Sequence, residues 1–416
     1  MKPIILITGA TSGVGFGICE RLLTQLCVPS PPDVEPQRFA RPSDNKQSNG
    51  ISIPCESLVL LLACRSIQRG ERSRRKLLDS LDHTINKLKQ TPTYDGQAER
   101  FRSNLVIEIV YCDLGVIKSV YECAKDINTR FPYVSHLVLN AGTSSVIGIN
   151  FFQAAKDVLS NPVLALTSPT YKIEAVGETS SDGLGWVFQC NVFGHYVLYR
   201  ALLPSLEKCP SSFSRVIWMS SHEALPEAFS IDDWQLTKTT LPYEGSKYEM
   251  DLLSATLDRS AELSTERKDP SVRHFTVHPG VVSTEIVEIN WFLKILKMGL
   301  FYLVRLLLSP HHTIDPIKGA ISATHLLLVS SHLLPSSLDP PTPSPPPKAA
   351  LGTGLESHET STAPIKFGSR TNWLGNEYVA VDPVYGWQEN ESVAKELLAR
   401  LETLYTEFLQ KASATD

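Results

Sequence analysis

Six short apolar runs punctuate the chain: Ile4–Thr8, Leu58–Ala63, Val106–Tyr111, His136–Asn140, Arg215–Ser220 and Arg273–His278. Most are apolar enough to be buried on both faces, and between them lie stretches whose apolar residues recur at helical spacing. The alternation predicts an α/β fold: a Rossmann-like, doubly wound parallel sheet with helices on both faces. Near the C-terminus Val393, Leu397, Leu398, Leu401, Leu404, Tyr405 and Phe408 form a stripe at helical period. It predicts an amphipathic helix in a C-terminal extension, 371–416, that packs on the domain.

Three polar or proline-rich stretches interrupt this pattern: 28–57, 143–180 and 331–370. Setting them aside leaves roughly 300 residues, which suits one α/β domain over 1–330 with two internal insertions. The third stretch packs seven prolines between Pro335 and Pro347. Their missing N–H donors and fixed φ exclude helix and sheet interior, so an extended surface segment without a catalytic role is expected.

Composition narrows the function. With 42% hydrophobic and 20% charged residues the chain is of the folded, globular kind. Its 39 basic against 44 acidic residues leave a net charge of −5, without the positive field that a nucleic acid would need, so nucleic acid is excluded as a partner. Eight cysteines include no C-x-x-C pair and no Cys/His cluster at zinc-ligand spacing, and read as buried thiols in a reducing compartment. No metal site is expected: His274 and His278 would stand about 13 Å apart on a strand, and His195 and His222 lack partners at ligand spacing. The apolar run Ile4–Ile7 is too short for a secretory signal, which points to the cytosolic side.

The first chemical signal is Thr8-Gly9-Ala10-Thr11-Ser12-Gly13-Val14-Gly15, set between the first strand and a helical pattern. Glycines there let the backbone turn tightly and approach a pyrophosphate, and the following helix presents free N–H groups. A tight turn without a ligand would read the same way, so the later motifs matter. In order come Cys112-Asp113-Leu114, Asn140-Ala141-Gly142, Asn191 in NVFGHY, Ser220-Ser221, Tyr243-Glu244-Gly245-Ser246-Lys247 and Pro279-Gly280-Val281-Val282-Ser283-Thr284. Tyr243 and Lys247, four residues apart, share one helix face, and an ammonium beside a phenol favours the tyrosinate.

The complete series resembles the short-chain dehydrogenase/reductase family. The resemblance implies an enzyme that uses NADP(H) or NAD(H), with Gly9, Thr11, Ser12, Gly13, Val14, Gly15, Asp113, Asn140, Val282 and Thr284 at the cofactor. It implies that Tyr243 gives a proton to the substrate oxygen, Ser221 hydrogen-bonds that oxygen, Lys247 also grips the nicotinamide ribose, and Asn191 supports a proton relay. Ser220 remains the alternative serine, because Ala224 stands where the family often has glycine. Arg65, at the end of the second strand where an acidic residue would take the ribose hydroxyls of NAD, favours the 2′-phosphate of NADP, hence NADPH.

Substrate information follows the Pro-Gly motif. Residues 286–308 (IVEINWFLKILKMGLFYLVRLLL) are long enough for a bilayer core but contain Glu288, Lys294, Lys297 and Arg305. On a helical projection Asn290, Lys294, Lys297 and Arg305 share one sector, with Phe292, Ile295, Leu296, Leu303 and Leu306 opposite. Phe301 and Leu308 intrude on the basic side, and Glu288 on the apolar side. Two readings stay open: a helix lying in a membrane interface, and a flap that buries its apolar face on the domain or substrate. This segment, SPHHTIDPIKGA and TNWLGNEYVAVDPVYGW resemble the fungal 3-ketosteroid reductases of sterol C-4 demethylation. That resemblance implies a 3-keto sterol substrate, neighbouring demethylation enzymes as partners, and the cytosolic face of the endoplasmic reticulum or a lipid droplet. Reduction of retinoids, other steroids or fatty-chain carbonyls is the alternative within the fold. A non-catalytic NADPH-binding scaffold is the alternative outside it.

Overall fold

The computed structural model describes residues 2–37, 39, 50–264, 271–283, 291–342 and 363–413. Among the described residues there are ten strands, β1 (Ile4–Thr8), β2 (Leu58–Cys64), β3 (Leu105–Tyr111), β4 (His136–Leu139), β5 (Val146–Ile149), β6 (Lys172–Glu174), β7 (Ser214–Met219), β8 (Val272–His278), β9 (Ile365–Thr371) and β10 (Glu377–Pro383). Eight form one sheet in the order β10-β9-β8-β7-β4-β1-β2-β3, parallel except for the antiparallel edge strand β10. The order reverses between β1 and β4, and this is where the strand ends of a doubly wound sheet open into a crevice.

The two-sided burial of β1 shows why the sheet sits in the middle. Ile4 and Leu6 face a core with Leu137, Leu139, Phe193 and Val197, while Ile5 and Ile7 face another with Ile18, Leu22, Leu60 and Leu62. Burying one such side chain is worth about 1.5–3 kcal/mol, so each strand is held from both faces. The C-terminal stripe forms the helix Trp387–Ser413, whose Leu397 and Leu401 are fully buried against the first of these cores.

The described residues of the stretches that stand apart in the sequence pack on the domain. The two oxygens of Asp33 accept from one edge of the Arg21 guanidinium, Nε and Nη2, at 2.6 and 2.8 Å, and Ile51 and Cys55 are buried. Residues 143–180 fold into the β5–β6 hairpin and the helices Phe151–Ser160 and Pro162–Thr167. The proline-rich stretch needs a correction at its far end, since 365–370 belong to buried strand β9. That strand has no apolar pattern because its polar side chains find buried partners. Lys366 Nζ meets Asp251 at 2.5 Å, Arg370 pairs with Asp382, and Ser369 Oγ donates to the Gly319 carbonyl at 2.7 Å.

Within the helical segment that carries Asn191, the turn Gln189–Phe193 is a π-turn joined directly to the helix Gly194–Glu207. Such a turn holds one residue more than an α-helical one and re-aims the side chains on it. Residues 291–306 form a helix, whereas 286–290 lie outside the described residues, as do the side chains of Phe292, Lys294, Ile295, Leu296 and Lys297. Among the described residues no helix is long and apolar enough to cross a membrane.

Candidate active site

The turn after β1 is shaped by glycine at two points. Gly9 has φ +66°, and a Cβ there would stand 2.8 Å from the Ala141 backbone; a Cβ on Gly15 would overlap the Asn140 amide and the Gly9 carbonyl. Asn140 closes the gap from the β4 side, since its Nδ2 donates to the Thr8 carbonyl at 2.9 Å and its N–H to Thr8 Oγ1 at 2.8 Å. The 14-residue helix Gly13–Leu26 then begins without a side-chain cap from Ser12. Its first amides and dipole therefore suit the pyrophosphate of a dinucleotide. Arg65 stands exposed beyond β2, and Asp113 follows β3 with its carboxylate on the Gly115 N–H at 3.0 Å. Val282 pairs with Ile314 in an isolated bridge, and Thr284 lies outside the described residues.

Asn191 is fully buried on its π-turn. Its Oδ1 accepts the Thr143 N–H at 2.8 Å, and its Nδ2 donates to the Thr143 carbonyl and to Ser246 Oγ, both at 2.9 Å. One side chain thus ties the exit of β4 to the helix Pro242–Leu263. Behind it His195 bridges the Asn191 carbonyl at 2.9 Å and Thr8 Oγ1 at 3.0 Å, and burial drives its pKa down to about 3, so the ring is neutral. The sequence weighed His195 only as a metal ligand; its four-residue step from Asn191 was the available signal for this support.

The two serines separate. Ser220 Oγ donates to the Lys247 carbonyl at 3.0 Å and so fastens β7 to the helix. Both serines border a cleft of about 290 Å³ together with Tyr243; Ser221 Oγ accepts the Glu223 N–H at 3.0 Å, and its hydroxyl lowers the Tyr243 pKa. Burial raises the Tyr243 pKa, and the charge of Glu223 raises it further; Ser221 and Lys172 pull it down and Glu244 pushes it up.

Lys247 lies beside the Tyr243 ring, as the four-residue spacing predicts. Its ammonium lies 5.7 Å from the Tyr243 ring centroid and donates to the Met219 carbonyl at 2.8 Å. Burial lowers its pKa to about 8, with Asp251 opposing the change and Lys366 adding to it. A second ammonium, that of Lys172, stands 5.5 Å from the ring centroid and also lowers the tyrosine; no sequence motif singles it out. Gly142 borders the same space, since a Cβ on it would stand 3.4 Å from Asn191 Oδ1 and 3.6 Å from Lys247 Nζ.

The cleft is walled by Val146, Ile149, Leu166 and Pro169 from 143–180, by Val281 and Val282 after the Pro-Gly turn, and by Phe301. Lys172, His222 and Glu223 stand with Ser221 and Tyr243 on its polar side, so it suits a ligand with an apolar body and a polar end there. Phe301, the residue that breaks the basic sector of its helix, faces inward with Val304, while Tyr302, Leu303 and Leu306 are exposed. His274 accepts from Trp218 Nε1 at 3.1 Å and His278 meets Asp382 at 3.0 Å, both packing roles.

No protein-family model matches the chain. It is 33% identical over 326 residues to the 3-keto-steroid reductase erg27 of Schizosaccharomyces pombe, covering 77% of this chain and 81% of that protein. It is 30% identical over 415 residues to the 3-keto-steroid reductase erg27 of Aspergillus fumigatus, covering 93% and 82%. Among solved structures, L-sorbose reductase from Gluconobacter frateurii, complexed with NADPH and L-sorbose, aligns at 16% identity with a TM-score of 0.47, covering 80% of this chain and 91% of that one.

Proposed function

Because the chain belongs to the 3-keto-steroid reductases within the short-chain dehydrogenase/reductase family, we propose that it reduces the C3 ketone of a 4-methyl sterol to the 3β-hydroxyl, using NADPH. The observation that carries this reading is the meeting of Ser221 and Tyr243 on the polar side of a cleft that has an apolar wall, next to Lys247. The glycine turn, the uncapped helix start and Arg65 fit a phosphorylated dinucleotide. When bound, NADPH supplies the hydride that adds to the carbonyl carbon.

This chain's own residues handle the oxygen. Ser221 Oγ donates a hydrogen bond to the ketone oxygen and fixes its direction. Tyr243 transfers its phenolic proton to that oxygen as the carbonyl carbon is reduced, which leaves a secondary alcohol and a tyrosinate that solvent reprotonates. Lys247 holds the ribose side of the cofactor, and Asn191, locked by Thr143 and Ser246, fixes the geometry through which the proton is replaced. The exposed Leu303 and Leu306 beside the cleft support a peripheral position on the cytosolic face of the endoplasmic reticulum or a lipid droplet, near the other enzymes of sterol C-4 demethylation.

Purified protein with NADPH is tested against 4-methyl-3-keto sterols, retinal and long-chain ketones, with products identified by mass. A 3β-hydroxy sterol formed faster than any other product supports the proposal. Turnover of retinal or fatty ketones alone overturns the substrate, and turnover of none overturns the activity.

A further inference from the structure

Lys172 opens β6, on the hairpin contributed by 143–180. Its ammonium lies 2.7 Å from Glu244 Oε1 and 3.0 Å from Glu223 Oε1, and 5.5 Å from the centroid of the Tyr243 ring. The two carboxylates are not remote surface groups. Glu223 stands two residues after Ser221, Glu244 follows Tyr243 directly, and Glu244 is almost wholly buried. Proton loss from Tyr243 therefore creates a third negative charge beside two existing ones. In a site shielded from water such a charge is costly unless a cation stands within a few ångströms.

We infer that Lys172 is a positioning residue for proton transfer at Tyr243: by holding Glu223 and Glu244 as ion pairs beside the ring, it offsets their charge while the tyrosinate forms. The inference rests on the proposed reading of Tyr243 as the proton donor and adds to it a residue from a segment outside the family's motifs. The groups that face this cluster are Glu223 from the β7 exit, Glu244 and Lys247 from the helix Pro242–Leu263, Glu174 from β6 itself, and Tyr171 beside Lys172. Lys172 pairs directly with both carboxylates, while the Lys247 ammonium is hydrogen-bonded to the Met219 carbonyl. Electrostatics agree in sign: Glu223 and Glu244 raise the Tyr243 pKa, Lys172 lowers it, and the two carboxylates keep Lys172 itself protonated.

The test is the pH profile of NADP⁺-dependent oxidation of a 3β-hydroxy-4-methyl sterol, the direction in which Tyr243 must be ionised to accept the proton. In Lys172→Met the half-maximal pH is expected to rise by about one unit, and kcat near neutral pH to fall about tenfold. KM and the NADPH dissociation constant stay near wild type, and Lys172→Arg restores the profile. Lys172→Met leaves Glu223 and Glu244 without this counter-ion and costs stability. The neutral variant with Lys172→Met, Glu223→Gln and Glu244→Gln is therefore measured beside it, and its half-maximal pH should lie at or below wild type. A Lys172→Met profile that coincides with wild type, or a uniform loss of rate with no shift, overturns the inference. So does a neutral variant whose profile is shifted upward. Tyr243→Phe, run in parallel, separates the two levels. If it retains turnover, the reading of the site fails; if it is inactive while Lys172→Met behaves as wild type, only the role of Lys172 fails.

Discussion

Glu174→Gln should make the protein more stable above neutral pH and leave it unchanged in mild acid. Glu174 closes β6 with its Oε2 accepting the Tyr243 N–H at 3.1 Å, while its other oxygen is buried without a hydrogen bond. Burial, reinforced by the charge of Glu244, raises its pKa from 4.5 to about 7. A carboxyl raised in the folded state holds its proton more tightly there than in the unfolded chain. Its cost is thus absent below about pH 4.5, grows through the window up to about 7 and is complete above it. At about 1.36 kcal/mol per pKa unit the penalty is about 3 kcal/mol, and glutamine removes it while keeping an acceptor for the Tyr243 N–H. Unfolding entropy near 2.1 cal/mol/K per residue gives about 0.9 kcal/mol/K for a chain of this length, so Tm should rise about 3–4 °C at about pH 8. Scanning calorimetry of both proteins across this pH range is the measurement. An equal gain at pH 4.5 and pH 8, or a loss at pH 8, would refute the assignment of a buried, charge-strained carboxylate.

Tyr243→Phe should lower turnover by about 10²–10⁴-fold with the NADPH dissociation constant little changed, read by steady-state kinetics and cofactor fluorescence. Arg65→Asp should move cofactor preference from NADPH towards NADH, because a carboxylate repels the 2′-phosphate; the ratio of kcat/KM for the two cofactors reports it. Replacing Leu303 and Leu306 with serine should release the protein from membranes or droplets, since each exposed leucine withdrawn from lipid forfeits about 1.5–3 kcal/mol. Co-sedimentation with sterol-containing vesicles measures this, and retention of the folded, active double variant would move the membrane contact elsewhere.

The central strands were legible because each is buried on both faces and so consists of one apolar run. β9 and β10 were not: Lys366, Ser369, Arg370 and Asp382 are buried with partners far away in the sequence, and a local pattern cannot reveal compensation at a distance. The glycine turn and the Asn, Ser, Tyr and Lys positions stood out in the sequence because the family's motifs fix their spacing and order. Lys172 and Glu174 escaped notice for the opposite reason: they arrive on a hairpin that reads as a polar interruption, and only the fold carries them to Tyr243. Phe301 was noticed as a flaw in a helical projection, and that flaw marks the side of the helix that faces the cleft.

The π-turn at Gln189–Phe193 makes Asn191 a matter of rotational phase. One residue of an α-helix advances the side-chain direction by about 100°. Deleting a single residue ahead of Asn191, Cys190 for instance, would let the segment relax to ordinary helical winding. The amide would then swing away from both Thr143 and Ser246. Composition, hydrophobicity and every neighbouring contact of the helix could survive such a deletion almost intact, yet the clamp between the β4 exit and the tyrosine helix would be gone. The segment therefore tolerates substitution more readily than a change of length, so its residue count is itself part of the site.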